Sequence, residues 1–206
     1  MSSNQLNLIK RINAIADTGL FYAEGDYDRE RYEELKGIGA ELMAQVSEKP
    51  LEVLKDFFVP SESYPTPKVD VRGFLFNEKE EVLLAKESID GKWTIPGGWA
   101  DIGSTPSEVA TKEIWEETGI EAKVVRLLAV YDKQVHPHPP EPYYIYKIIF
   151  YCQMTGGLLK PGFDMLDADF FSLDNLPPLS EERILEFQIR QLFQLAKSKT
   201  NEVYFD

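Results

Sequence analysis

The stretch Pro96-Gly97-Gly98, followed fifteen residues later by Glu113-Ile114-Trp115-Glu116-Glu117-Thr118-Gly119, decides how this chain folds. Between the two halves, Thr105-Pro106-Ser107-Glu108 has the pattern of a capping box, with a proline at the first helical position. Gly119 is suited to the left-handed residue that ends many helices. The spacing therefore predicts a helix over 106–118.

Three glutamates of this helix, Glu113, Glu116 and Glu117, share one face, because residues three and four apart are neighbours on a helix. Carboxylates this close repel each other, and a hard cation such as Mg²⁺ removes the repulsion by binding between them. Gly97 and Gly98 carry no side chains, so the Gly97 carbonyl is open as a further oxygen ligand. The pattern indicates a divalent-metal site, although three glutamates alone also fit a solvated acidic helix face.

The segment from Gly98 to Ile120 resembles the signature of the Nudix hydrolases, which is Gly-x5-Glu-x7-Arg-Glu-apolar-x-Glu-Glu-x-Gly-apolar. Two polar positions depart from it, because Ser104 replaces a glutamate and Lys112 replaces an arginine. By analogy with the family, the glutamate and the arginine of the signature mainly support the loop and the helix. Their replacement in this chain therefore removes an ion pair and no metal ligand. Lys112 lacks the bidentate fork of arginine, which makes any contact with a carboxylate looser.

The resemblance covers roughly 68–197 and implies the fold. The expected class is α/β, an α/β/α sandwich with a mixed sheet, preceded by a small all-α N-terminal domain. The resemblance also implies an enzyme, a Nudix pyrophosphatase that hydrolyses acid anhydrides of phosphorus with Mg²⁺, for which Mn²⁺ can substitute.

The metal ligands follow from the resemblance when the signature is matched residue by residue. Glu113 and Glu117 are the first choice, Glu116 binds directly or through water, and the Gly97 carbonyl is a weaker candidate. Glu116 and Glu117 are accordingly expected to be catalytic.

A general base is also needed, and the family often takes it from an acidic loop residue outside the signature. Asp164 and Asp167 lie in the matching segment 162–169, and Asp164 is preferred. A solvated loop carboxylate is the alternative for each of them.

Phosphate contacts are expected from basic side chains on or just after predicted strands, which are Arg72, Lys86 and Lys133. Arg72 is the best candidate, because a guanidinium within an otherwise apolar strand offers bidentate recognition of phosphate. An ordinary surface charge is the alternative for each.

The segment 131–142 contains both histidines and four of the prolines, which predicts a restrained surface loop. His136 and His138 are candidates for phosphate or metal contact, but two ligands without a third make a weak metal site. Tyr143 and Tyr144 follow the loop and could stack on a base or cover a quaternary ammonium group, although core packing explains them equally well. His136 and Tyr143 are retained as substrate-binding candidates.

The N-terminal third of the chain has helical periodicity. The predicted helices are 4–20, 28–46 and 50–58. We expect a helical domain over 1–60, a stiff proline-containing linker over 61–67 and a catalytic domain over 68–206.

The helical domain is too small to bury much apolar surface by itself. Four of its aromatic residues are expected to face outward, which are Phe21, Tyr22, Phe57 and Phe58. A homodimer contact is our leading interpretation, and packing on the catalytic domain of the same chain is the alternative. Its position before a Nudix signature is similar to a bacterial subgroup that includes CDP-choline pyrophosphatase and ADP-ribose pyrophosphatase-like members.

After the linker, the periodicity changes to that of strands, which are predicted over 69–76, 81–86, 124–131 and 143–154. The first two flank Asn77-Glu78-Lys79-Glu80 as a hairpin. The last is apolar or aromatic on both faces, which predicts layers on both sides of the sheet. A closing helix is predicted over 180–197.

Composition limits the classes of partner. The 206 residues carry a net charge of −13, which opposes binding of long nucleic acids and anionic membranes. No apolar run is long enough to span a membrane, and the first residues lack the apolar core of a signal peptide. The single cysteine, Cys152, excludes an intrachain disulfide and lies in an apolar strand as a core residue. We expect a cytoplasmic protein.

These observations predict hydrolysis of a nucleoside diphosphate linked to another moiety. CDP-choline, cleaved to CMP and phosphocholine, is the first substrate, and ADP-ribose is the second, both from the resemblance. Two alternatives stay open, which are an RNA-processing Nudix enzyme and a nucleotide-sensing module with a decayed signature.

Overall fold

The computed structural model describes residues 3–46, 64–139, 141 and 143–206. The chain divides into two compact units. The first consists of the described residues within 1–67 and of the short segment at 140–144, and the second of 68–139 and 145–206.

The first unit contains the helices α1 (Ser3–Tyr22) and α2 (Asp26–Val46), which agree with the two long helices predicted from periodicity. They pack closely where glycines remove side chains, because a Cβ on Gly39 would lie 2.4 Å from Asn13 Oδ1. Lys36 and Asp17 form a largely buried ion pair between the two helices. The predicted third helix, 50–58, and part of the linker lie outside the described residues.

The described part of the second unit contains eight strands: β1 (Lys68–Phe74), β2 (Val82–Glu87), β3 (Trp93–Thr94), β4 (Gly97–Trp99), β5 (Ile120–Asp132), β6 (Ile145–Gly157), β7 (Met165–Phe171) and β8 (Tyr204–Phe205). Five form a mixed sheet in the order β4-β1-β6-β5-β8, in which β1 and β6 are parallel. The other three form an antiparallel sheet in the order β3-β2-β7.

The division into two sheets corrects the predicted hairpin. The turn forms as expected, because Glu80 N donates to Asn77 O at 2.9 Å and Phe76 bridges Val82. Beyond that bridge, however, β1 joins the mixed sheet and β2 joins the second sheet. Alternation along a single run could not show this separation.

Helix α3 (Pro106–Thr118) has the predicted bounds and caps. The Thr105 hydroxyl accepts from Glu108 N at 3.3 Å, and the Glu108 carboxylate accepts from Thr105 N at 2.8 Å. Gly119 ends the helix at a φ of 72°, and its N–H donates to Trp115 O. A Cβ there would lie 2.5 Å from Leu158 O, so both the backbone angle and the space require glycine.

Two apolar clusters lie on the two faces of β1, because successive side chains of a strand point to opposite sides. Val71 packs with α3 through Val109, Ala110 and Ile114. Phe74 packs instead in the larger cluster that contains residues of the fourth helix. The mixed sheet therefore has a helix on each face, as predicted.

Helix α4 (Glu186–Lys197) forms only the second half of the predicted closing helix. Residues 181–183 form turns before it, and Ser180 N donates to Trp93 O at 2.8 Å, so this segment is paired with β3. Of the helices in the described part of the chain, none is long and apolar enough to cross a membrane.

Cys152 lies in β6 and is 1% exposed. Burial raises the pKa of its thiol to about 12. The side chain is therefore a core residue, as predicted from its apolar neighbours.

Replacing the capping residue, Thr105→Ala, should lower the free energy of unfolding of the second unit by about 1 kcal/mol, because the N–H of Glu108 in the first turn of α3 loses its hydroxyl acceptor. Tryptophan fluorescence during urea unfolding measures this, since all three tryptophans lie in this unit. Thr111→Ala is the control, because this half-buried threonine within the helix has no capping role and gains helix propensity as alanine. Equal unfolding midpoints for the two variants would contradict the capping role.

Candidate active site

Residues 94–98, which we call the glycine elbow, run from the last residue of β3 into the first two residues of β4. Gly97 has a φ of 150°, and a Cβ on it would lie 2.4 Å from both Val71 O and Arg72 Cγ. Only glycine lets β4 approach β1 at this point. The Gly97 N–H is thereby directed toward the C-terminal end of α3, where it meets a carboxylate.

Glu117 is the acceptor of this N–H: Gly97 N donates to Glu117 Oε2 at 3.2 Å. The glutamate is 6% exposed. Burial raises the pKa of its carboxyl to about 8, against the lowering effect of the Arg72 charge, and the charges of Glu113 and Glu87 raise it further. Glu117 is therefore a desolvated carboxyl beside other acids, where its charged form lacks full compensation.

Glu113 lies at the next glycine of the elbow, and its Oε1 is 3.0 Å from the position of a Cβ on Gly98. Burial raises the pKa of the Glu113 carboxyl, and the neighbouring charge of Glu116 adds to the rise. The third glutamate, Glu116, has a side chain that is 44% exposed, with Lys112 Nζ 3.8 Å away. The elbow therefore brings together Glu113 and Glu117, while Glu116 faces solvent beside them.

These residues fit a divalent cation by their chemistry. The pKa values of the Glu113 and Glu117 carboxyls are raised, first by burial and then by neighbouring negative charges, and a bound cation would stabilise their charged forms. Within residues 3–46, 64–139, 141 and 143–206, no three acidic, histidine or cysteine side chains are already grouped as ligands around one point. Carboxylate oxygens, backbone carbonyls and water are the ligands that such a cation takes.

Lys112, which stands where the signature has an arginine, forms ion pairs with Asp101 and Glu116. Its Nζ lies 3.1 Å from Asp101 Oδ2, and Ser104 closes the same loop by donating its N–H to Asp101 O at 3.2 Å. Asp101 therefore supplies the carboxylate that is missing at position 104, a contact that the sequence did not reveal. Because both side chains are exposed, this pair contributes little to stability.

Arg72 is 4% exposed and points inward from β1. Its Nε donates to Asp70 Oδ2 at 3.1 Å, and its Nη1 donates to Thr94 Oγ1 at 3.1 Å and to Ile95 O at 2.8 Å. Asp70 also pairs with the buried Lys147 of β6. The expected phosphate contact of Arg72 stays a prediction, and what the structure shows is a guanidinium bound to the elbow.

Asp164 and Asp167 have different positions. Asp164 is an exposed residue of the turn before β7, as expected for a loop acid. Asp167 lies within β7, opposite Lys86, so its placement in the loop was wrong. The reason is that β7 begins at Met165, before the apolar run that marks it in the sequence.

Glu87 is an acidic residue near the site that the sequence analysis missed. It is 5% exposed, and Arg183 Nε lies 2.6 Å from its Oε1. Burial raises the pKa of the Glu87 carboxyl, Arg183 and Arg72 lower it, and the charges of Asp90 and Asp164 raise it again. Glu87 thus links Asp164 electrostatically to Glu117. Its only sequence signal is a glutamate at the end of the buried run of β2.

The two lysines predicted to bind phosphate differ in exposure. Lys86 is half-buried in β2, with Nζ 6.0 Å from the centre of the Trp93 ring. Lys133 is buried in a short 3₁₀ turn directly after β5. Both positions agree with the predicted location on or just after a strand.

The two histidines are held by separate partners. His136 Nε2 lies 2.8 Å from Asp206 Oδ2, and His138 Nδ1 donates to Glu181 O at 2.6 Å. Burial lowers the pKa of His138 to about 4, so its ring is neutral near pH 7. The partners give no indication of a shared metal. Tyr143 belongs to the first unit, where its carbonyl accepts from Lys10 Nζ at 2.9 Å.

Family models match both parts of the chain. Residues 66–193 match the NUDIX domain, and residues 3–58 match a model described as a UDP-X-like, N-terminal oligomerisation domain. The predicted α/β fold with an all-helical N-terminal region, and the family resemblance itself, are confirmed by these matches and by the solved structures below.

Three of the similar proteins have names that describe enzymes. The "Putative ADP-ribose pyrophosphatase YjhB" of Bacillus subtilis (strain 168) is 45% identical over 98% of this chain and 96% of its own length. The crystal structure of a UDP-X diphosphatase is 35% identical, with a TM-score of 0.64 over the whole of both chains. An ADP-ribose pyrophosphatase from Streptococcus suis 89-1591 is 30% identical, with a TM-score of 0.60 over 68% of this chain and all of its own.

Gly97→Ala should lower the free energy of unfolding by about 3 kcal/mol, because the added Cβ overlaps Val71 O and Arg72 Cγ. Gly91→Ala is the matched control. Gly91 also has a positive φ, 68°, but a Cβ there meets nothing within 4 Å, so only about 1 kcal/mol of backbone strain is expected. Urea unfolding followed by tryptophan fluorescence compares the two, and equal losses would show that the close approach of β4 to β1 is unimportant.

Proposed function

Since this chain belongs to the Nudix family and is a Nudix pyrophosphatase, we propose that it hydrolyses the pyrophosphate bond of a nucleoside diphosphate linked to another moiety, with Mg²⁺ as its metal. The observation that carries the proposal is the pairing of Glu117 and Glu113 with the two glycines of the elbow. Nudix hydrolases generally require a divalent metal, and these two carboxyls have the chemistry to bind one.

Glu113 and Glu117 are the proposed metal ligands, with Glu116 binding directly or through water and the Gly97 carbonyl as a further oxygen donor. The bound cation would neutralise the phosphate oxygens and lower the pKa of a water nucleophile. The chain itself supplies the orientation, because the Gly97 N–H holds Glu117 Oε2 and leaves its other oxygen for a ligand.

Asp164 is the proposed general base, and Asp167 is the second candidate. Asp164 is exposed in its turn and is near enough to Glu87 to raise the pKa of that carboxyl. An acid that is solvated yet close to the site can accept a proton from water and release it to solvent. Asp167 lies in β7 opposite Lys86, and its Oδ1 accepts from Ala168 N at 2.8 Å.

ADP-ribose is the proposed first substrate, ahead of UDP-linked compounds and of CDP-choline. This reverses the order taken from the resemblance, because the Bacillus subtilis relative, which matches nearly the whole chain, carries the name of an ADP-ribose pyrophosphatase. The UDP-X diphosphatase matches the whole chain at lower identity. Lys86, Lys133, His136 and Tyr143 are the proposed substrate contacts.

A homodimer formed through the first unit is proposed as the assembly. Residues 3–58 match an oligomerisation domain, and the exposed aromatics Phe21 and Tyr22 form edge-to-face contacts with Tyr64. Tyr22 and Tyr64 line an open cleft in this unit together with Ile15, whose side chain is 49% exposed. An exposed aromatic surface of this kind is typical of a protein interface.

Glu117→Gln should reduce turnover of the best substrate by more than about 100-fold, because the amide cannot supply a charged ligand oxygen. Product release is measured for ADP-ribose, UDP-glucose, CDP-choline, NADH, dinucleoside polyphosphates and short RNA, with Mg²⁺, with Mn²⁺ and with EDTA. Glu121→Gln is the control, because it removes an exposed glutamate of β5. Turnover that survives EDTA, or that Glu117→Gln leaves intact, would reject the proposed site.

Tyr22→Glu should shift the protein from dimer to monomer, because it places a charge in the proposed interface. Tyr27→Glu is the matched control, since Tyr27 is also an exposed helical tyrosine and does not line the cleft. Light scattering during size-exclusion chromatography gives the mass of each. Dimers of equal stability in both variants would place the interface elsewhere.

A further inference from the structure

Arg72 is surrounded by protein, and its partners come from two different elements. On one side lies Asp70 of the same strand, which Lys147 of β6 also contacts. On the other side lie Thr94 Oγ1 and Ile95 O, the first two residues of the glycine elbow. The guanidinium therefore connects the centre of the mixed sheet to the loop that carries the Gly97 N–H.

The charges of this cluster do not balance by themselves. Arg72 and Lys147 are two buried cations, and among the residues that the structure describes, Asp70 is the only carboxylate that pairs with them at short range. A buried charge is costly unless it is paired, and apolar residues often replace buried ion pairs without loss of stability. The charge of Arg72 reaches the next acid, Glu117, and lowers the pKa of that carboxyl against the effect of burial.

Two further residues of the elbow, Pro96 and Gly97, are also paired with β1. Gly73 N donates to Pro96 O at 3.0 Å, and Gly97 is the strand partner of Arg72. Gly97 then donates its own N–H to Glu117 Oε2. A displacement of the Thr94 and Ile95 anchors would therefore move the donor that orients Glu117.

We propose that Arg72 is a positioning residue, which fixes the glycine elbow through Thr94 and Ile95 so that Gly97 holds Glu117 in its ligand orientation. The role is indirect, since the guanidinium acts on Glu117 through Thr94 and Ile95 of the elbow. Asp70 and Lys147 complete the support by fixing the guanidinium from the opposite side. This inference rests on the proposed metal role of Glu117.

The test measures Mn²⁺ binding to protein freed of metal, by electron paramagnetic resonance and without substrate. Arg72→Met should weaken Mn²⁺ binding by about 10- to 100-fold, the range for partners that orient metal ligands. Arg72→Lys should weaken it nearly as much, because an ammonium group keeps the charge but cannot bind Asp70 and the elbow at the same time, as Nε and Nη1 of the guanidinium do. Thr94→Val removes one anchor only and should cause a smaller loss, and it carries the test if Arg72→Met fails to fold.

Arg126→Met is the matched control. Arg126 also ties two elements together, by donating to Glu202 O at 3.0 Å and to Leu195 O, but it has no contact with the elbow. It should lose stability and keep its affinity for Mn²⁺. Circular dichroism at the assay temperature confirms that each variant is folded.

The outcomes separate the two proposals. If Glu117→Gln abolishes Mn²⁺ binding while both Arg72 variants retain it, the positioning role is wrong and the metal site stands. If Arg72→Lys restores full affinity, the effect is one of charge, which overturns positioning through the elbow. If Glu117→Gln itself binds Mn²⁺ normally, the proposed metal site is wrong, and the inference fails with it.

Discussion

The hydrogen bond from Gly97 N–H to Glu117 Oε2 joins the edge strand β4 to the end of α3, and the arrangement of the site depends on it. Two conditions make it possible. A glycine is required at position 97, because any Cβ would overlap β1. Helix α3 must also end at a fixed place, which Thr105 and Gly119 secure at its two ends. The bond therefore couples the capping of a helix to the packing of a strand.

The second unit contains several buried charged side chains, and their burial determines how their pKa values are shifted. Asp70, Arg72, Lys147, Glu87 and Glu117 are all less than a tenth exposed. Such groups are stable only as a network, because each desolvated charge needs a partner. The carboxyls at the elbow have raised pKa values, while the pKa of Asp70, between two cations, is lowered. The cationic half of the network, which includes Arg72, lies next to Glu117, one of the proposed metal ligands.

The departures from the family signature show how a local contact can be replaced by another. Lys112 cannot form the paired contact that arginine forms, and position 104 offers no carboxylate. Asp101 provides one from three residues earlier, on the same loop. The support of the loop is retained by an exposed and weak pair, while the glutamates of α3 keep their positions.

The sequence by itself determined what depends on neighbours a few residues apart: the bounds of α3, its caps and the shared face of its glutamates. Capping and helical periodicity act over one or two turns, so they can be read without the fold. Only the tertiary structure decided that β1 and β2 enter different sheets, that Arg72 turns toward Thr94 and Ile95, and that Glu87 joins the site. These contacts join residues far apart in the chain, such as Asp70 and Lys147, whose pairing is set by strand register and by the packing of the two sheets.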